Sequence, residues 1–333
     1  MYAIALPALF MVTGPTVIVD QFAMEDVSIP TIPTLQPPGP PTTGIVAAAD
    51  GTVYFVDSYH NTVWRMQPGR GTTAFVTGRN GRSLQIDDEG NIYGTHRDGG
   101  RLRTWRADGL GNVVEVTRTE VPEQSGHAFI LDEDGELIGW TGANRRSGIR
   151  LWRAREHQRQ LVAGGEWGYR DGSGVQARFQ SIGGMALTSE GELLVTSGAT
   201  VRRVGADGSV STIAAGDPLL KPRGFLARLV GDGQGHLTGI AEGDDGSIFV
   251  ANTGRGAVVR IDPDGSTQDI ATSSNGWMPT GVASAHGALY ILEYGAGVRV
   301  RRITADGASS IVAHVRPDRG LAAALGRTAV RAG

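Results

Sequence analysis

The groups in this chain able to move a proton or hold a cation are few: seven histidines, no cysteine, and carboxylates spread along 333 residues. Aligned on a recurring turn glycine, four of them fall on two sets of matching positions, Asp57, His96 and Glu293 on one and His127 on the other. A histidine changes protonation near neutral pH, and a carboxylate beside it orients the ring or takes the opposite proton role. Elimination, cyclisation and hydrolysis all need such a pair, so these four are the candidate catalytic residues. Around them Trp167, Tyr169, Arg82, Asn252, Trp277 and Thr238 are the residue types that would hold a partly apolar organic substrate. His96 and His127, completed by His236 or a carboxylate, would be a partial metal-ligand set. No H-x-H or H-E-x-x-H spacing accompanies them, so no metal ligand is assigned; the divalent ions these donors suit are Ca, Mg or Zn. His60, His157, His286 and His314 read as polar surface residues. The plainer role for all these groups is to satisfy backbone and water at a wet entrance.

What would gather such scattered residues is a repeat. An acidic or polar residue before glycine, then a short aliphatic run, occurs six times: ADGTVYFVD (49–57), DEGNIYGTH (88–96), EDGELIGWT (133–141), SEGELLVTS (189–197), DDGSIFVAN (244–252) and AHGALYILE (285–293). Glycine at that place supplies the positive φ of a tight hairpin. The turn glycines are Gly51, Gly90, Gly135, Gly191, Gly246 and Gly287. Before each turn lies a first strand rich in small residues, such as TGIVAAA (43–49) and TGIAEGD (238–244). After it come a third strand alternating apolar residues with arginine, as in NTVWRMQP and AVVRIDPD, and a fourth such as SVSTIAAG. Four short strands per unit, repeated about every 40 to 55 residues, predict an all-β six-bladed β-propeller of four-stranded antiparallel blades. The end of each second strand and the start of each first strand would then ring one mouth of the central channel. Those rings are Asp57, His96, Thr141, Ser197, Asn252, Glu293 and Thr43, Arg82, His127, Gly183, Thr238, Thr280.

The repeat resembles the NHL family. DGTVYFVDSYHNTVWRM (50–66) and DGSIFVANTGRGAVVRI (245–261) follow its DG-x-x-Y-V-x-D-x-x-x-N-x-V-x-R pattern, and AGGEWGYRDGSGVQARFQSIGGMAL (163–187) its linker and first strand. The resemblance covers about residues 43 to 315 and is sharpest in blades 1, 4 and 5. It implies the fold and leaves the activity open, because similar propellers serve as scaffolds, RNA binders, lyases, lactonases and strictosidine-synthase-like cyclases. Gluconolactonase-like propellers carry a metal-binding glutamate at the first mouth position, where this chain has Thr43. Amidating-lyase-like propellers bind zinc through histidine, which His96 and His127 match in part. The single catalytic glutamate of the cyclases has Glu293 as its counterpart.

Composition bounds the rest. Without cysteine there is no thiolate chemistry, disulfide or iron–sulfur cluster. A net charge of −3 disfavours nucleic acid, and the arginines of blades 2 and 3 are nearly balanced by neighbouring acids. No G-x-S-x-G, P-loop or dinucleotide motif opens a helix. Residues 1–42 read as an extension with an extra strand in GPTVIVD and a proline-rich strap, 43–315 as the propeller, and 316–333 as a tail. The apolar run from Tyr2 to Val12 is too short to span a bilayer and lacks signal-peptide features, so a cytoplasmic location is expected, with secretion as the alternative. The expected activity is that of a lyase, cyclase or hydrolase, or a binder, acting on a small-molecule ligand. The alternative is a non-catalytic scaffold with a protein partner. Trp167, Tyr169 and Trp277, lying in linkers, are expected to stand free to shield a ligand, and the long connectors 165–181 and 216–237 to lie on one face.

Overall fold

The computed structural model describes residues 18–19, 42–79, 81, 83–98, 101–116, 125–131, 137–141, 148–155, 158–215 and 237–316. Each repeat is one antiparallel sheet whose strands follow chain order from the axis outward. Blade 1 is Ile45–Ala47, Val53–Asp57, Thr62–Gln67 and Gly71–Thr77; blade 2 is Leu84–Ile86, Ile92–Asp98, Arg101–Ala107 and Val113–Glu115; blade 3 is Ser125–Leu131, Leu137–Thr141, Arg150–Arg155 and Gln158–Ala163. Blade 4 is Met185–Leu187, Leu193–Ser197, Thr200–Val204 and Ser209–Ala215; blade 5 is Leu237–Glu242, Ile248–Asn252, Ala257–Ile261 and Thr267–Thr272; blade 6 is Met278–Ala285, Ala288–Gly295, Gly297–Ile303 and Ser309–Arg316. Six blades and an all-β architecture are as the repeat predicts; one 3-10 turn, Gly174–Gln176, is the helical element among the described residues.

The hairpins form where the glycines allow them. Gly51, Gly90, Gly191, Gly246 and Gly287 have φ of 82°, 80°, 77°, 75° and 66°; Gly135 lies outside the described residues. Glycine has a second use at the axis. A Cβ on Gly239 would stand 2.6 Å from the Cα of Gly281, and one on Gly281 2.6 Å from the carbonyl oxygen of Thr43, so the first strands of blades 5, 6 and 1 touch backbone to backbone. Between blades the core is apolar. Separate clusters join blades 1 and 2, 3 and 4, 4 and 5, and 5 and 6, and a larger one joins blade 6 back to blade 1. Trp64, Trp105 and Trp152 are buried in third strands, as expected of residues packing between blades. Trp105 and Trp152 sit opposite Gly94 and Gly139, where any side chain would meet the indole ring.

Two blades carry a fifth strand at their rim. Ile18–Val19, inside GPTVIVD, pairs with Val315 and Arg316 of blade 6, and Gly172–Ser173 pairs with Ser209 and Val210 of blade 4. Each covers part of an exposed outer edge.

Candidate functional site

Chain direction puts the ends of all second strands and the starts of all first strands on one face, the mouth; the glycine turns lie on the opposite face. The register shows what distinguishes the starts of the first strands. Pairing slips between Ser125 and Phe129, between Leu237 and Ile240, and between Pro279 and Gly281, so His127, Thr238 and Thr280 all sit in β-bulges. Such bulges re-aim side chains and commonly border sites. His96 is placed by its backbone at the mouth end of the second strand of blade 2, opposite Arg103. The side chains of His96 and His127, and the whole of Arg82, lie outside the described residues.

Asp57 is fully buried and saturated with donors. One oxygen accepts the backbone N–H of Tyr59 at 2.9 Å and of His60 at 3.3 Å; the other contacts His60 Nδ1 at 2.6 Å and accepts Trp64 Nε1–H at 3.1 Å. The carboxylate therefore closes the hairpin that follows it. His60 is not the surface residue its isolated position suggested: this short loop folds its imidazole onto Asp57, leaving it 3% exposed. A second polar knot joins blade 1 to blade 6 beside it. The Tyr294 hydroxyl donates to the Val56 carbonyl at 2.6 Å, accepts the Ser58 N–H at 3.3 Å and meets Thr42 Oγ1 at 3.2 Å. Tyr59 answers with a hydrogen bond to the Gly295 carbonyl at 3.1 Å. Burial first, and the nearby Asp57 charge second, push the Tyr294 phenol far above its ordinary pKa, so it remains a neutral donor.

Glu293 occupies the same repeat position in blade 6 and is also fully buried, but its partners are cations. Arg299 Nε donates at 2.6 Å, Arg301 Nη2 at 3.1 Å, and the Ser273 hydroxyl also donates. Asn252, the blade 5 equivalent, is buried and accepts the Arg255 N–H at 3.1 Å, the same turn-closing bond that Asp57 makes. Thr238 Oγ1 meets the Thr253 hydroxyl at 2.8 Å, which in turn donates to the Pro279 carbonyl at 2.8 Å, linking the bulges of blades 5 and 6. Asp57 and Glu293 are thus brought to adjacent blades with different neighbours.

The linker aromatics are less free than expected. Trp277 is stacked under the Arg299 guanidinium, 4.1 Å from its centroid, and meets the His314 ring edge-on at 5.3 Å. The connector 165–181 folds back on itself, with bridges Trp167↔Phe179 and Arg170↔Arg178, and clasps the outer part of blade 4, while 216–236 of the other long connector lie outside the described residues. The reason is Arg202. This wholly buried guanidinium on the third strand of blade 4 donates to the carbonyls of Arg170 at 2.9 Å and Arg178 at 3.3 Å, pairs with Asp171, and lies against the rings of Tyr169 and Phe179. Asp171 and Tyr169 also bond Thr212 of the fourth strand. Sequence reasoning missed this clasp, although a second arginine beside Arg203 on the third strand, preceded by a GYRDGSG connector, is its signal.

Among the described residues no group of three or more His, Asp or Glu side chains is placed to hold a metal ion. The two described mouth carboxylates do not suit one either: Glu293 faces two guanidinium groups and Asp57 faces an imidazole and an indole. No helix among the described residues is long and apolar enough to cross a membrane.

No protein-family model matches the chain. No curated protein matches it by sequence. Solved structures do. The chain is similar to a catalytically inactive histidine-to-alanine variant of virginiamycin B lyase from Staphylococcus aureus with quinupristin, at 14% identity over 89% of this chain and 88% of that one, with a TM-score of 0.52. It is similar to a gluconolactonase from Xanthomonas campestris, at 12% identity over 83% and 87%, TM-score 0.54. It is also similar to regucalcin, a calcium-binding protein from Agrobacterium tumefaciens, at 17% identity over 76% and 82%, TM-score 0.51. At these identities the likeness establishes the shared propeller fold.

Proposed function

We propose that this chain is an NHL-type propeller enzyme that transforms a small, partly apolar organic molecule at the mouth by acid/base chemistry of the elimination, cyclisation or hydrolysis type. The observation that carries this reading is the Asp57–His60 contact of 2.6 Å, a carboxylate-held imidazole on the mouth-side hairpin of blade 1. A mouth that already orients one imidazole in this way is suited to proton transfer. His96 and His127, on the neighbouring blades 2 and 3, are the proton-transfer groups of the proposal. Asp57 and Glu293 act by orientation and charge, through His60 and through Arg299 and Arg301. Arg82, Asn252, Thr238 and Trp277 are assigned to substrate contact. Support comes from the similar folds, which include a lyase that loses activity with one histidine and a gluconolactonase. No metal step is included, because the described donors are engaged by protein partners.

The test is a panel of lactones and cyclic esters incubated with the full chain and followed by mass spectrometry. A gain of one water marks hydrolysis, and ring opening without a mass change marks elimination. His96→Ala or His127→Ala should slow turnover by about 10²–10⁴-fold, as for loss of a general acid or base, with circular dichroism unchanged. Wild-type rates in both variants would overturn the acid/base assignment and leave a binding or scaffold role.

A further inference from the structure

On the face opposite the mouth, a cleft of about 580 Å3 opens between blades 6 and 1. Its size falls within the range of small-molecule sites, about 300–1,000 Å3. One wall is a row across three strands of blade 6: Tyr290, Arg302 and Ser310 are direct cross-strand neighbours. The other wall is blade 1, with Met66 and the turn bearing Arg70; Ile311 and Val312 add apolar surface.

Arg302 belongs to a set of six. In every blade, the second-strand residue three after the turn glycine pairs with an arginine on the third strand: Arg65, Arg106, Arg153, Arg203, Arg260 and Arg302. Five of these are engaged. Arg65 donates to the Gly109 carbonyl and lies over Phe75, and Arg106 bonds Tyr93. Arg153 also has a partner. Arg203 pairs with Glu192 at 2.8 Å, and Arg260 with Asp245 at 2.8 Å and Asp262 at 2.7 Å. Those acids come from the glycine turn or beside it. In blade 6 the same turn reads AHGA, so His286 stands where blade 5 has Asp245, and Ala288 where blade 4 has Glu192. Arg302 is exposed and makes no ion pair or side-chain hydrogen bond among the described residues. Arg70, on the facing wall, is in the same state. The carboxylate lining the cleft, Asp50, is held on its own turn by the Thr52 N–H at 2.8 Å.

We propose that this cleft binds a small organic anion, a carboxylate on an apolar body. Arg302 is its main anchor, Arg70 the facing charge, Tyr290 and Ser310 supply hydroxyl contacts, and Met66, Ile311 and Val312 cover the apolar part. The ligand takes the place of the acid that blade 6 lacks. Because it bridges the first and last blades, it also fastens the ring at its seam. The site is independent of the mouth chemistry.

Benzoate is the probe, with benzyl alcohol as its neutral counterpart, and calorimetry and thermal shift on the full chain as readouts. Saturable benzoate binding with a rise in melting temperature is expected, and none for benzyl alcohol. Arg302→Gln should weaken binding by about tenfold or more, the scale of one charge-assisted contact. His286→Asp, which places an acid where blade 5 has its own, should weaken it likewise by pairing Arg302 internally; a left-handed backbone at φ 51° accepts Asp. Arg203→Gln, the equivalent residue of blade 4, should leave binding unchanged. No saturable binding up to about 10 mM, or equal affinity in the wild type, Arg302→Gln and His286→Asp, would overturn the proposal.

Discussion

Asp57 and Glu293 hold the same place in the repeat, at the mouth end of the second strand, in blades that touch across the ring seam. Both are fully buried, yet they are neutralised in different ways. Asp57 is surrounded by donors from its own hairpin, all within seven residues, and its one ionisable partner is His60. Glu293 is held by two arginines of the next strand and a serine from the preceding linker. Asp57 therefore closes a turn, while Glu293 balances charge. Asn252 supports the distinction, because in blade 5 an uncharged amide makes the turn-closing bond. A repeat position preserves geometry, and the neighbours decide what the residue does there.

The contrast can be broken most strongly at Glu293. Glu293→Ala leaves Arg299 and Arg301, only 16% and 20% exposed, facing each other without a counter-charge. A loss of about 3–5 kcal/mol is expected, as when one partner of a buried ion pair is removed, and urea unfolding measures it. A smaller loss than that of Asp57→Ala would mean that charge balance is not what this residue supplies.

Asp57 should respond to shape more than to charge. Asp57→Ala leaves buried donors of its own short loop unsatisfied and should lose about 1–3 kcal/mol in all, less than Glu293→Ala. Asp57→Asn keeps the oxygen that accepts the Tyr59 and His60 amides and should lose about 1 kcal/mol. Equal losses for the two variants would show that the negative charge, and not the turn closure, is the contribution.

The smallest effect lies on the face opposite the mouth, where acidic residues cap the turns. The Thr52 backbone N–H holds Asp50 below its ordinary pKa, Ser247 does the same for Asp245, and Ser209 for Asp207. Depressed folded-state values mean that the unfolded chain takes up these protons first as pH falls. Their stabilisation is complete above about pH 3.9 and is lost as pH drops through the folded-state values. The urea midpoint should therefore be flat with respect to these groups near neutral pH and decline below about pH 4. Asp245→Asn should shallow that decline, whereas substitution at Asp57 tests the mouth alone.

The sequence by itself determined the architecture, because a propeller blade is local. Gly51, Gly246 and their counterparts specify hairpins through φ, the alternation around them specifies half-buried strands, and six occurrences specify six blades. The strand in GPTVIVD and the inter-blade role of the tryptophans were legible for the same reason. The site was legible only as a set of positions. The alignment on glycine located Asp57, Asn252 and Glu293 at strand ends, but it carried no information about partners from other segments. Tyr294 reaches Val56 over 238 residues, and Asp171 reaches Arg202 over 31. Folding alone decided that His60 is buried, that the connector 165–181 clasps blade 4 around Arg202, and that Arg302 faces Arg70 across a cleft at the seam. Each depends on which side chains converge once the ring closes, and a buried polar group must find such a partner wherever the chain provides it.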